Sequence, residues 1–278
     1  MSIYGLDELQ LAHFPGLFRQ LKIICFSKER VLSDMHNLIA SGLPIRDDLM
    51  AAHAFAWDSM SKAGTWLTAE RRVAVAAEAR QGWVCAFCQL QKEALTPNSV
   101  TGTHTSLGLL ADVEVELVHR IVSDPGRLSE AWYGSIIEHG IKPEEYIEIA
   151  GLVAITVMAD TFAFGIGAEE SPLPSPQGGA PSNYHSPGAK KEAAWVPIIE
   201  PEDAVESDGM LYPSNKVGYI HRALSAVPET KRDYWRMAEA HYLPGGSVYD
   251  FSTDARAISR PQIELIAARV SALHQCLY

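Results

Sequence analysis

From Leu17 to Gly167 the chain reads as successive helices with few strand signals, and this restricts its fold more than any other feature. Leu49, Ala52, His53, Ala56 and Trp57 recur at helical spacing and predict a helix within Pro44 to Ala63. Thr68 is placed to cap a helix over Val73 to Arg80, with Gly82 as its stop. A new helix is expected to begin near Trp83 and run to Leu95. Asp112 to Val122 and Leu128 to His139 are further amphipathic stretches, the second punctuated by Gly140. Ser171 to Gly188 carries Pro172, Pro174, Pro176, Pro181 and Pro187 and reads as a linker or an extended strap. Helical periodicity resumes after Pro213 with Val217 to Leu224, Glu229 to His241 and Ile258 to Cys276. The expectation is an all-α protein.

With 278 residues and a net charge of −11, the chain has ample core and disfavours nucleic acid or an anionic membrane as partner. The apolar run Ile149 to Ile166 contains Thr156 and Asp160 and follows Pro143-Glu144-Glu145, a start typical of soluble helices. It is expected to be a buried core helix and not a membrane span, with Asp160 needing a partner if buried. Cys25, Cys85, Cys88 and Cys276 are too scattered for a secreted disulfide scaffold, and Met1 to His13 lacks the pattern of a signal peptide. A cytoplasmic location is expected.

Within the helical region stands Cys85-Ala86-Phe87-Cys88. Thiols three residues apart share a helix face, so they can meet or bind a common partner. Redox chemistry requires a thiolate at working pH. A helix start lowers a thiol pKa, and Lys92, four residues past Cys88, could add positive charge. The plain alternative is two small apolar residues on a core helix. Glu78, two turns before Cys85, shares its face if the helix continues. It can serve as a proton acceptor, or be a solvated carboxylate paired with Arg71, Arg72 or Arg80. His104, in Thr101-Gly102-Thr103-His104, could fold back as a base or ligand. Glu78, Cys85, Cys88 and His104 would then form a four-ligand set for zinc or another thiophilic metal. Histidines 13, 36, 53, 119, 139, 185, 221, 241 and 274 show no metal-ligand spacing among themselves; His274 adjoins the C-terminal cysteine. Trp57, Trp66, Trp83, Phe87 and Trp132 suit a helical core.

Setting Cys276 on Cys85 aligns Ala267-Ala268 with Ala76-Ala77 and Tyr278 with Phe87, and His221 to Pro228 resembles His36 to Pro44. A duplicated unit is expected. The stretch Ile258 to Leu273, ending in Cys276-Leu277-Tyr278, resembles the alkylhydroperoxidase-D-like / carboxymuconolactone decarboxylase family, as do Leu43 to Gly167 and Val217 to Tyr278 more broadly. Redox members of that family carry Glu, eleven residues, Cys-x-x-Cys, then His four residues on. Glu264 and Cys276 have the family separation, but the chain stops before the second Cys. Around Cys85 the Glu position holds Val73 and the His position holds Lys92. The resemblance implies two helical units in one chain: residues 1–167, a linker over 168–215, and an incomplete second unit over 216–278. It implies a peroxidase-like oxidoreductase needing no cofactor, in which Cys88 attacks a peroxide and Cys85 resolves the disulfide. Glu78, Lys92 and His104 would activate the pair, and Glu264 and Cys276 would form part of a second site. The partners implied are a small-molecule peroxide, a thiol reductant and further copies of the chain. A metal-binding or non-catalytic member and a decarboxylase-like enzyme stay open. So do three readings of the chain end: truncation, a decayed repeat, or a recoded stop that places selenocysteine after Tyr278.

Overall fold

The structure, a computed structural model, describes residues 38, 41–248, 250–274 and 276. The expectations for Leu17 to 37, among them Cys25 and His36, and for His13 and Tyr278 lie outside the described residues. The described chain is built of helices α1 (Asp47–Met60), α2 (Ala69–Val84), α3 (Ala86–Glu93), α4 (Asp112–Ser123), α5 (Glu130–Glu138), α6 (Pro143–Gly165), α7 (Pro228–His241) and α8 (Arg260–Leu273). Two-residue strands β1 (Ala189–Lys190) and β2 (Ile198–Ile199) pair antiparallel, Ala189 opposite Ile199. The all-α character holds.

Local chemistry sets the helix starts. Thr68 accepts from the Arg71 N–H at 3.4 Å, Ser129 from Trp132 N–H at 3.2 Å, and the Glu114 carboxylate reaches back to Ala111 N–H at 3.1 Å. Helix α6, opened by Pro143, is the central pillar. Ile147, Ile149, Leu152 and Val153 pack with Val75 and Ala76 of α2 and Leu117 and Val118 of α4. Further along, Ile155, Ala159 and Ala163 meet Ala52, Ala56 and Trp57 of α1 and Met237 of α7. Each Val, Leu, Ile or Met among them, fully buried, stabilises by about 1.5–3 kcal/mol, and the alanines by less. By length and composition α6 could cross a membrane, but most of its apolar window is buried inside the protein. Asp160 has the partner it needs: Arg80 grips both its oxygens at 2.8 and 2.9 Å.

Three expectations are revised. Helix α2 does not stop at Gly82; it runs to Val84, and the break falls at Cys85, whose backbone is extended (φ −72°, ψ 115°). Gly82 is an interior residue of the helix instead, facing α4, where an added Cβ would meet Val122 and the His119 Cα at ordinary contact distances of 3.4 and 3.6 Å. Val217 to Leu224 is not an α-helix but a 3₁₀ turn over Tyr219–Arg222, followed by Leu224 at φ 65°. The segment 168–215 is no free linker: Pro172 O accepts from the Trp57 indole at 2.8 Å, and Ser182 and Asn183 N–H donate to Gly64 O and Thr65 O. It is the extended strap, and Ile198 and Ile199 bury its hairpin.

Helix α7 crosses α6 where Gly151 faces Thr230, with room for hydrogen only. A Cβ at 151 would stand 2.2 Å from Thr230 Cγ2. Gly151→Ala is therefore expected to destabilise by about 1–3 kcal/mol through overpacking, read by urea denaturation, with Thr230→Ser recovering part of the loss. Full wild-type stability in Gly151→Ala would contradict this packing.

Candidate thiol–imidazole centre

The break between α2 and α3 makes Cys85 both the end of one helix and the N-cap of the next. Cys88 then falls in the first turn of α3 on the inward side, and neither cysteine is exposed (0 % each). Arg127 fixes the other end of α3, donating to the carbonyls of Gln91, Lys92 and Ala94 at 2.7–2.9 Å.

The 3₁₀-containing loop between α3 and α4 folds back over this turn. Its Thr105 N–H donates to Cys85 Sγ at 3.4 Å, and Leu107 N–H donates to Glu78 Oε2 at 3.1 Å. His104 is thereby set with Nδ1 3.3 Å from Cys88 Sγ and 3.7 Å from Cys85 Sγ. From α4 comes a residue the motif spacing did not select, His119, whose Nδ1 lies 3.2 Å from Cys88 Sγ and 3.0 Å from His104 Nδ1. The two sulfurs and two Nδ1 atoms all lie within 4.8 Å of one another.

Each imidazole is backed by a carboxylate. Glu78 Oε1 accepts from His119 Nε2 at 2.9 Å, both side chains being fully buried. Glu116 Oε2 stands 2.7 Å from His104 Nε2, while its Oε1 accepts from the Trp132 indole at 2.9 Å. Glu78 thus lies on the thiol face, as expected of a proton acceptor, but one step behind His119 and not among the four converging atoms. Nor does it pair with an arginine: Arg71 goes to Glu114 and Glu145, Arg72 to Glu148 and Asp233, Arg80 to Asp160.

Burial alone would push the Cys85 thiol up, yet the backbone N–H groups of Cys88 and Thr105, together with His104, outweigh it and bring it down to about 6. Burial likewise opposes ionisation of Cys88, and His104 and His119 reverse the sign and lower it. Burial works against a charged His104, but Cys88, Glu116 and Cys85 raise it to about 10. His119 is also raised: Cys88 and Glu78 overcome its desolvation. Glu116 is lowered, its burial outweighed by His104 and Trp132. The shifts thus run toward thiolate at both sulfurs and toward imidazolium at both rings.

The same geometry suits a cation. Carboxylates at both Nε2 atoms select the Nε2–H tautomer, which turns two Nδ1 lone pairs and two sulfurs toward one point. Two Cys and two His are a tetrahedral zinc donor set, with the carboxylate–histidine backing such sites use.

Other predicted residues lie elsewhere. Lys92 is exposed, and the positive charge facing the thiols belongs to the imidazoles. Glu264 accepts from Arg260 Nε at 2.6 Å and Tyr242 OH at 2.7 Å, whereas Cys276 is exposed beyond the end of α8. The structure does not bring these two together with a base. His274 ends α8 as its C-cap. His119 and Glu116 were legible only as polar residues on an amphipathic helix: His119 interrupts the apolar stripe of Val115, Val118 and Val122. Comparison with protein-family models, with curated proteins and with solved structures finds no match for this chain.

Proposed function

We propose that Cys85 and Cys88 form a dithiol/disulfide pair that reduces a peroxide at the expense of a thiol reductant. The observation that carries this reading is Cys88 Sγ at 3.2 and 3.3 Å from two imidazoles, each backed by a buried or half-buried carboxylate. The Cys88 thiolate attacks one peroxide oxygen; an S–O bond forms, the O–O bond breaks, and one imidazolium protonates the departing alkoxide. The Cys85 thiolate then attacks the Cys88 sulfenic acid, expelling hydroxide that takes the second imidazolium's proton and leaves as water. Two thiolates and two stored protons balance one turnover. Two electrons from the thiol reductant, with proton return to His104 and His119, restore the start.

A second reading is favoured by the convergence of two Nδ1 and two Sγ atoms: Cys85, Cys88, His104 and His119 hold zinc or another thiophilic ion in a closed site. Elemental analysis with a free-thiol count before and after chelation separates the two. Silent thiols released with one equivalent of metal favour the ion; two titratable thiols in metal-free protein favour the redox pair. For the redox pair, Cys88→Ser is expected to abolish peroxide consumption, and a rate equal to wild type rejects the enzyme.

The family resemblance extends the proposal to architecture, with 216–278 as an incomplete second unit; the helix, Pro-opened turn and alanine-bearing helix of α7 and α8 support it. A homo-oligomer is part of the same reading, supported by exposed Leu265, Ile266, Val270 and Leu273 on α8. A cytoplasmic location belongs to the same reading, and the buried setting of α6 supports only that this helix is core and not a membrane span.

A further inference from the structure

Away from the thiols, the segment around 210–217, one face of α7 and the 3₁₀ turn Gly245–Ser247 enclose a cleft of about 450 Å³. It shares no residue with the cysteine centre. Its charge is opposite to that of the chain. In a protein with 34 acidic and 23 basic residues, this one cleft is lined by Lys216, Lys231, Arg232 and Arg236 against a single carboxylate, Glu239.

None of these four cations has a carboxylate within ion-pair distance among the described residues, whereas Arg71, Arg72, Arg80, Arg120 and Arg260 all do. Arg232 donates to the Asp208 carbonyl, and the Arg236 guanidinium lies over Phe55 at 3.8 Å. Lys231, only 3 % exposed, donates to the His221 carbonyl at 2.6 Å and lies 4.8 Å from the Tyr212 ring and 5.3 Å from the Trp235 ring. Those contacts hold the ammonium without cancelling its charge.

The second half of the pattern is flat and apolar. His221 stacks on Trp235 with centroids 4.5 Å apart and planes 15° apart. Trp235 Nε1 is buried with no hydrogen-bond partner, so it is the flat ring and not its N–H that the cleft offers. A cleft of this size, lined by both cations without ion-pair partners and aromatic rings, matches small ligands with a planar body and an anionic head.

We infer that this cleft is a binding site for a small aromatic or heteroaromatic anion, a carboxylate or a phosphate ester, with Lys231 as its central cation. Trp235 and His221 supply the apolar wall. Burial brings Lys231 down to about 8 against the opposing pull of Glu239, so it is still mostly protonated at pH 7.

Calorimetric titration of the full chain at pH 7 with benzoate, phenyl phosphate and neutral benzamide tests this. Both anions are expected to bind saturably, with benzamide at least tenfold weaker. Lys231→Met is expected to weaken the anions tenfold or more. Gly246→Trp, placed where an added Cβ meets nothing within 4 Å, puts bulk into the cleft while leaving all four cations in the chain and is expected to do the same. Equal affinity for benzamide and benzoate, absence of saturable heat with either anion, or undiminished binding in Gly246→Trp overturns the proposal. If Lys231→Met fails to fold, the Gly246→Trp and benzamide arms decide alone.

Discussion

His119→Ala is expected to lower peroxide consumption by at least about 10²-fold, the lower end of what a positioned acid–base group contributes. The loss has three parts. Cys88 keeps His104 at 3.3 Å but loses the nearer imidazole at 3.2 Å, so its thiolate is less favoured. One of the two protons needed per turnover has no carrier. Glu78, fully buried, is left with Leu107 N–H and the distant Ser106 hydroxyl, and its Oε1 loses its partner. Under the metal reading the same substitution removes one of four donors, and bound ion should be lost on dialysis. Glu78→Gln keeps the ring in place and is expected to do less, about 10–100-fold in metal affinity if the site holds an ion, because one amide nitrogen must face a donor that the carboxylate accepted. Stopped-flow peroxide decay and elemental analysis read both readings in one preparation. If His119→Ala keeps the wild-type rate and the wild-type metal content, the imidazole is packing and the centre as described is wrong.

Much of the scaffold around that centre was legible because its determinants are local. Thr68 announces a helix three residues before the N–H it accepts from, and Asp112 to Val122 matches α4 to within one residue. Cys85 and Cys88 were legible as a shared face, and His104 as a loop residue able to return to them. Less visible was the reason they meet. His119 joins Cys88 across 31 residues and Glu78 across 41, and such pairings follow from how α2 packs on α4. What the sequence does carry is a buried-face signature: Glu78 lies among Val75, Ala79 and Gly82, His119 among Val115, Val118 and Val122. A polar residue in an apolar stripe must find a partner, and two of them on facing helices find each other. The strap was ambiguous for the opposite reason. Its prolines exclude regular structure, but where it lies is decided by distant partners, the Trp57 indole and the carbonyls of Ser61, Gly64 and Thr65 among them. Val217 to Leu224 misled because helical spacing there competes with Gly218 and with Lys231, which takes the His221 carbonyl.

The largest expected loss of stability comes from Arg72→Met. Arg72 on α2 sits among α1, α6 and α7, 6 % exposed, with Glu148 at 3.5 Å and Asp233 at 3.8 Å. It also donates to the Lys62 carbonyl and the Ser59 hydroxyl. Glu148 takes the Trp66 N–H at 2.6 Å and Asp233 takes the Ser59 O–H, so neither carboxylate is free to turn to solvent. Burial raises the pKa of both, and Arg72 pulls both back down. Methionine fills similar volume, but it leaves two buried carboxylates without a cation, for which about 3–5 kcal/mol is expected by urea denaturation at pH 7. The pH dependence separates charge from shape. A carboxylate with a raised folded pKa adds stability that is complete below its unfolded value and is lost as pH rises through the folded one. Removing Arg72 raises both folded values further, so the native variant binds more protons than the native wild type at a given pH. Its stability therefore falls more steeply with pH, and the deficit should be smaller at pH 5 than at pH 8. A loss below about 1 kcal/mol, or one that does not change between those pH values, would mean that Arg72 acts through packing and the Lys62 carbonyl alone.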